Sequence, residues 1–152
     1  MRTLYAFSVA LAVIGAGSVS YSAKAQDAPS ADKAYSEMTE MFGGIPSIMQ
    51  IYPKSAVPAG WALVKETDLN KNTALPPKTR ELIGLAVAAQ VPCTYCVYYH
   101  TAAAKAAGAT EEEIKEAVHM SSLVRHWSTL LQGNQFDMSE FVAETDAAFK
   151  AQ

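Results

Sequence analysis

This sequence carries no surplus of positive charge and very little cysteine. Twelve basic side chains stand against fifteen acidic ones, a formal net charge of −3. Without a basic surface the chain lacks the electrostatic footprint of a nucleic-acid binder. Two cysteines in 152 residues are too few for a disulfide scaffold. No Gly-rich phosphate loop is present, so nothing indicates an organic cofactor. What remains is a chain that is half hydrophobic and 18% charged. That composition excludes a disordered tail, a collagen-like chain and a multi-span membrane protein, and it fits about one packed domain.

The N-terminus has the three-part layout of a secretory signal peptide. Arg2 supplies a positive start, Leu4 to Gly17 run without a charge, and a small polar stretch leads into Ala23-Lys24-Ala25. The apolar run of about 14 residues is short of the roughly 20 that a membrane span needs, which favours a cleaved signal over a retained anchor. Residues 1–25 are therefore expected to be removed. Cleavage after Ala25 leaves 127 residues starting at Gln26, with a net charge of −5. The expected location is the periplasm or the exterior, an oxidising compartment where a close cysteine pair can persist as a disulfide.

The remainder reads as helices. Ser30 is a candidate N-cap for a helix to about Met41, closed by Gly43-Gly44. An apolar patch follows at Ile48, Met49, Ile51 and Tyr52, then a segment opened by Pro58, Gly60 and Trp61. Pro76-Pro77 sit where a helix start tolerates proline, and Leu82 to Ala89 are apolar on every face, which predicts a central, buried helix. A third strong helix is expected from Cys93 to about Ala107, stopped by Gly108. Thr110 and Glu113 make a capping box for the longest helix, to about Gln132, and Asp137 with Glu140 opens the last. No segment alternates with period two long enough to be a strand, and no repeat is visible. The expectation is an all-α domain of five or six helices, with residues 26–74 as an N-terminal helical segment and 75–152 as the core.

The chemistry concentrates between residues 81 and 100. Glu81 is followed after eleven residues by Cys93-Thr94-Tyr95-Cys96 and, after three more residues, by His100. On a helix Cys93, Cys96 and His100 share one stripe, and Cys96 and His100 stand at contact spacing. A helix N-terminus favours thiolate over thiol, and a thiolate is the species that attacks a peroxide or a disulfide. His100 adds a proton acceptor. Three other readings compete. A structural disulfide would close a loop too short to remove much unfolded-state entropy. A metal site could use Cys93, Cys96, His100 and Glu81, but a structural zinc site more usually has a second Cys/His pair. Covalent haem attachment needs His directly after the second Cys, and Val97 stands there. Glu81 is either a partner for the helix dipole or a partly buried group in need of a polar partner.

The spacing Glu81-x11-Cys93-x-x-Cys96-x3-His100, with the flanking text from about Leu75 to Gly133, resembles the alkylhydroperoxidase D-like members of the carboxymuconolactone decarboxylase family. The resemblance implies an all-helical fold, assembly as a homo-oligomer (trimer or hexamer), and a peroxidase or disulfide reductase activity carried by the cysteine pair. The decarboxylase branch of that family lacks the pair. Carried over, Cys96 takes oxygen from a hydroperoxide, Cys93 resolves the sulfenic acid, His100 draws the proton from Cys96, and Glu81 orients or relays through His100. The best-known members are cytoplasmic and re-reduced by a lipoyl-bearing partner. An exported chain calls for another reductant, a dithiol or a protein of unidentified kind.

Two rivals to the peroxidase remain: a thiol–disulfide oxidoreductase acting on exported proteins, and a non-enzymatic helical oligomer whose disulfide is a staple. Tyr95, Tyr98 and Tyr99 surround the pair and either line a pocket for an organic peroxide or belong to a core or interface. His119 and His126 share a stripe of the longest helix and are expected at a surface or interface. Glu111-Glu112-Glu113 is expected to be a solvated helix start, and Trp61 and Trp127 to be packing residues.

Overall fold

A computed structural model of the chain describes residues 30–151. The signal-peptide expectation for residues 1–25 lies outside the described residues. Among the described residues there are six α-helices, two short 3₁₀ turns and no strand, the all-α architecture expected. No helix among them is long and apolar enough to cross a membrane. The chain divides between Asp68 and Leu69 into two compact units.

The first unit holds α1 (Ala31–Phe42), 3₁₀ turns at Ser47–Ile51 and Lys54–Ala56, and α2 (Val57–Thr67). The Ser30 hydroxyl accepts from the Lys33 N–H at 3.2 Å, as its N-cap position predicts. Gly43 ends α1 in the left-handed region, φ 75°, with its N–H donating to the Thr39 carbonyl. The core is Ala34, Met38, Met49, Val57 and Trp61, with Tyr35 and Val64 packed against it. Of the apolar patch at 48–52, Met49 is the member that is buried, while Ile48 and Ile51 stay exposed. Trp61 is a packing residue, and its indole N–H donates to Glu37 Oε2 at 2.7 Å. Lys65 donates to the same oxygen at 2.6 Å, and its ammonium lies 5.6 Å from the Trp61 ring centroid. Lys65 first, then Trp61, holds Glu37 below the ordinary carboxylate range.

The second unit holds α3 (Pro77–Gln90), α4 (Thr94–Ala106), α5 (Glu111–Gly133) and α6 (Met138–Lys150). Helix α3 packs against both α4 and α5. Polar ties at each end of α3 fix the second packing. Lys78 reaches Glu113 at 2.6 Å near the start of both helices. Farther along, Gln90 donates to the Ser121 carbonyl at 2.6 Å and accepts from Arg125 Nε at 2.6 Å. Start meets start and end meets middle, so α3 and α5 run in the same direction. The short link from Val91 to Cys93 turns α4 back along α3. Gly108 then reverses the chain at φ 85°.

The capping box at α5 is complete: the Thr110 hydroxyl accepts from the Glu113 N–H and the Glu113 carboxylate accepts from the Thr110 N–H. The three glutamates at this helix start do more than face solvent, since Glu111 pairs with Lys105, Glu112 with Lys115 and Glu113 with Lys78. At α6 the Asp137 carboxylate accepts the Glu140 N–H, as expected from their spacing.

Two burial expectations fail in the single chain. Helix α3 is central, but Leu85 and Ala88 alone are buried, while Ile83 and Val87 are 48% and 56% exposed. Helices α4 and α5 cover two sides of α3 and leave the third open. Trp127 was expected to pack, and it is exposed beside His126, with the two rings edge to face at 5.3 Å. Apolarity on all faces calls for cover on all faces, and one chain does not supply it.

Candidate functional site: a cysteine pair beside a Glu–His pair

The site lies where α3 and α4 face each other. Cys93 occupies the N-cap of α4, one position before the helix that was expected to include it. Its N–H donates to the Ala88 carbonyl at 3.1 Å, so the last turn of α3 holds it. Its extended backbone, φ −94° and ψ 100°, places Sγ over the open N-terminus of α4, where it accepts from the Cys96 N–H at 3.2 Å. Cys93 and Cys96 are joined in a disulfide, with Cα atoms 5.3 Å apart. Both residues are half-buried. When the bond is reduced, the same N–H and the helix dipole stabilise negative charge on the Cys93 sulfur.

One turn beyond Cys96, His100 Nδ1 lies 2.8 Å from Glu81 Oε2 of α3. The Glu81 side chain is 14% exposed and the His100 side chain 26%. This contact decides between the two sequence readings of Glu81. It sits in the second turn of α3, past the reach of the dipole effect, and its partner is a histidine ring. A carboxylate can only accept, so Nδ1 carries the hydrogen. Nε2 is then left as the ring position that takes up or gives back a proton. Cys96 and His100, four apart on α4, stand at the spacing where side chains on one helix face meet.

Sequence reasoning missed Gly84. A Cβ built on this residue would lie 2.6 Å from both Cε1 and Nδ1 of His100, so the imidazole rests on bare α3 backbone. The signal was visible as a lone glycine in an apolar helix, but its meaning depends on which ring crosses it. The Tyr99 ring stands edge-on to His100 at 5.2 Å.

The sequence profile of the carboxymuconolactone decarboxylase family matches residues 55–135, more than half the chain. The chain belongs to the carboxymuconolactone decarboxylase family. Its fold is similar to that of the alkylhydroperoxidase AhpD core of Rhodospirillum rubrum, with a TM-score of 0.62 and 26% sequence identity over 74% of this chain and 85% of that one. It is also 34% identical over 62 residues to uncharacterized protein 4 in the cox locus of Paracoccus denitrificans, over 41% of this chain. The chain spans about half the length of that curated relative, 56%.

Of the remaining candidates, Tyr99 borders the Glu–His contact through its ring against His100. Tyr95 and Tyr98 are 87% and 80% exposed, and Tyr99 is half exposed, so in the single chain none of them is core. His119 and His126 are exposed on α5. Among the described residues no group of three or more His, Cys, Asp or Glu side chains is arranged to hold a metal ion.

Proposed function

We propose that this chain is an exported thiol-dependent peroxidase that reduces hydroperoxides through Cys96 and Cys93. The observation that carries the reading is the disulfide at the N-terminus of α4 with the Glu81–His100 hydrogen bond one turn along the same helix. In the reduced protein His100 takes the proton from Cys96. The Cys96 thiolate attacks the distal oxygen of ROOH, an S–O bond forms, the O–O bond breaks, and the alkoxide leaves. The proton held by His100 passes to the alkoxide, giving ROH and Cys96 sulfenic acid. The Cys93 sulfur, its developing negative charge stabilised at the N-terminus of α4, attacks the sulfenic sulfur and closes the disulfide; its proton goes to the departing oxygen, which leaves as water. A dithiol or protein reductant of the exported compartment returns two electrons and two protons.

Glu81 contributes by holding Nδ1–H and stabilising the imidazolium that forms at the first proton transfer. The signal-peptide-like pattern of residues 1–25 supports export, and export makes a lipoyl-bearing reductant a poor match. Uncovered apolar side chains support assembly as a trimer or hexamer: α5 alone exposes Met120, Leu123, Val124, Trp127 and Leu130, a continuous stripe at helical spacing. The test is peroxide turnover with dithiothreitol as reductant. The wild type is expected to turn over and Cys96→Ser to be inactive; full turnover in Cys96→Ser refutes the assignment.

A thiol–disulfide oxidoreductase is the second reading. Exposed Tyr95 and Tyr98 favour it, because they place a broad apolar surface beside the disulfide where a protein substrate could dock. Negligible peroxide reactivity with fast exchange against protein disulfides would select it.

A further inference from the structure

We infer that Gly84 is a positioning residue, whose missing side chain lets the His100 imidazole lie against α3 and keep Nδ1 on Glu81. The inference rests on the reading of His100 as the proton carrier for Cys96, and it adds to that reading the surface that sets the ring's place.

Space, and not backbone conformation, explains glycine at this position. Left-handed backbone among the described glycines occurs at Gly43 and Gly108, so Gly84 has the backbone of an ordinary helical residue. Glycine in a helix interior is unfavourable relative to alanine, and its neighbours here are Leu, Ile, Ala and Val. A Cβ at Gly84 would meet three atoms of one ring: Cε1 and Nδ1 at 2.6 Å and Cγ at 2.9 Å. Gly133, also helical, faces open space. Glu81 and Gly84 are three apart, so both lie on the α3 face that meets α4. The carboxylate holds the ring by its nitrogen while the glycine leaves the ring somewhere to lie.

A methyl group at Gly84 needs about 3.5–4.0 Å to the ring carbons, so the imidazole must retreat by about 1 Å. The Nδ1 to Oε2 separation of 2.8 Å then opens past hydrogen-bond range. The backbone of α3 is indifferent or improved, because alanine is the better helix former. Gly84→Ala is thus expected to fold and to lose the Glu–His pair.

The experiment compares wild type, Gly84→Ala and Gly133→Ala as reduced proteins. Long-range ¹H–¹⁵N spectra of the histidine side chains report which ring nitrogen carries hydrogen. Stopped-flow thiol loss with cumene hydroperoxide reports reactivity. Wild type and Gly133→Ala are expected to show His100 with hydrogen on Nδ1. Gly84→Ala is expected to lose that signature and to react about tenfold more slowly or worse, toward the ~10²–10⁴-fold of a full general acid–base defect. Adding Glu81→Gln to Gly84→Ala is expected to cost less than about twofold more, since both changes weaken the same attraction between the Glu81 carboxylate and the His100 imidazolium. An unchanged His100 signature in Gly84→Ala, or fully additive rate losses, overturns the positioning role. If wild-type thiols ignore peroxide while Gly84→Ala still loses the signature, the peroxidase reading fails and the positioning role stands. Should Gly84→Ala unfold, Gly84→Ala/His100→Asn removes the ring; a double variant that also stays unfolded overturns the inference.

Discussion

Replacing Glu81 by Gln removes one charge and almost nothing else. The amide keeps the size of the carboxylate and still offers an oxygen to His100 Nδ1, 2.8 Å away in the native site. What is lost is the attraction between a carboxylate and the imidazolium that forms when Cys96 gives up its proton. Two unit charges about 4 Å apart attract by about 4 kcal/mol at an effective dielectric near 20. Both side chains retain some contact with water, 14% and 26%, so the full figure is not realised. The range for a hydrogen bond to a charged partner, about 1.5–3 kcal/mol, is the better guide. This energy appears as the imidazolium forms, so it enters the barrier. At about 1.4 kcal/mol per factor of ten, Glu81→Gln is expected to slow peroxide-driven thiol loss roughly 10- to 150-fold. Folding stability should change by less than about 1 kcal/mol, because size and hydrogen bonding are kept. Stopped-flow oxidation of the reduced protein near pH 7 and a denaturant melt measure the two quantities. A variant that reacts within about twofold of wild type contradicts the role given to Glu81.

Three further outcomes follow from the geometry. Under reducing conditions Cys93→Ser keeps an N-cap acceptor for the Cys96 N–H, whereas Cys93→Ala does not; the alanine variant is expected to be about 0.5–2 kcal/mol less stable than the serine variant, and equal denaturant midpoints would contradict the cap. Met38 is fully buried in the first unit, and Met38→Ala is expected to cost about 2–5 kcal/mol in urea unfolding, a loss below about 1 kcal/mol being the contrary result. The third concerns acid. Lys78 first, then the Thr110 N–H, holds Glu113 below its ordinary 4.5. A lowered carboxylate stabilises the fold fully above its unfolded value, and that stability is lost as pH falls through the folded value. Wild type is therefore expected to weaken below about pH 4.5 more steeply than Lys78→Gln, and parallel stability–pH curves from circular dichroism would count against the contact.

Local signals read from single residues carried the helix plan. Ser30, Thr110, Asp137, Gly43 and Gly108 each punctuate a helix where their side chains or backbone freedom predict. These are interactions within three or four residues, which a sequence displays directly. The spacing from Glu81 to His100 singled out two residues whose side chains meet at 2.8 Å, but whether Glu81 served a dipole or a ring depended on how α3 and α4 lie together. Gly84 was opaque for the same reason, because its importance is a distance to a residue sixteen positions away. Burial was the weakest expectation. The apolar faces of α3 and α5 state that cover is needed, and they do not say whether the same chain or another copy provides it. Ile83, Val87 and Trp127 were misjudged on that ground.

The central claim is that the cysteine pair gives two electrons to a hydroperoxide. Thiol counting on the reduced protein tests it directly, with one equivalent of cumene hydroperoxide near pH 7 and Cys96→Ser alongside. The account predicts that both wild-type thiols vanish quickly and that the remaining thiol of Cys96→Ser survives. Wild-type thiols that outlast the peroxide, yet exchange readily with a disulfide, would contradict it.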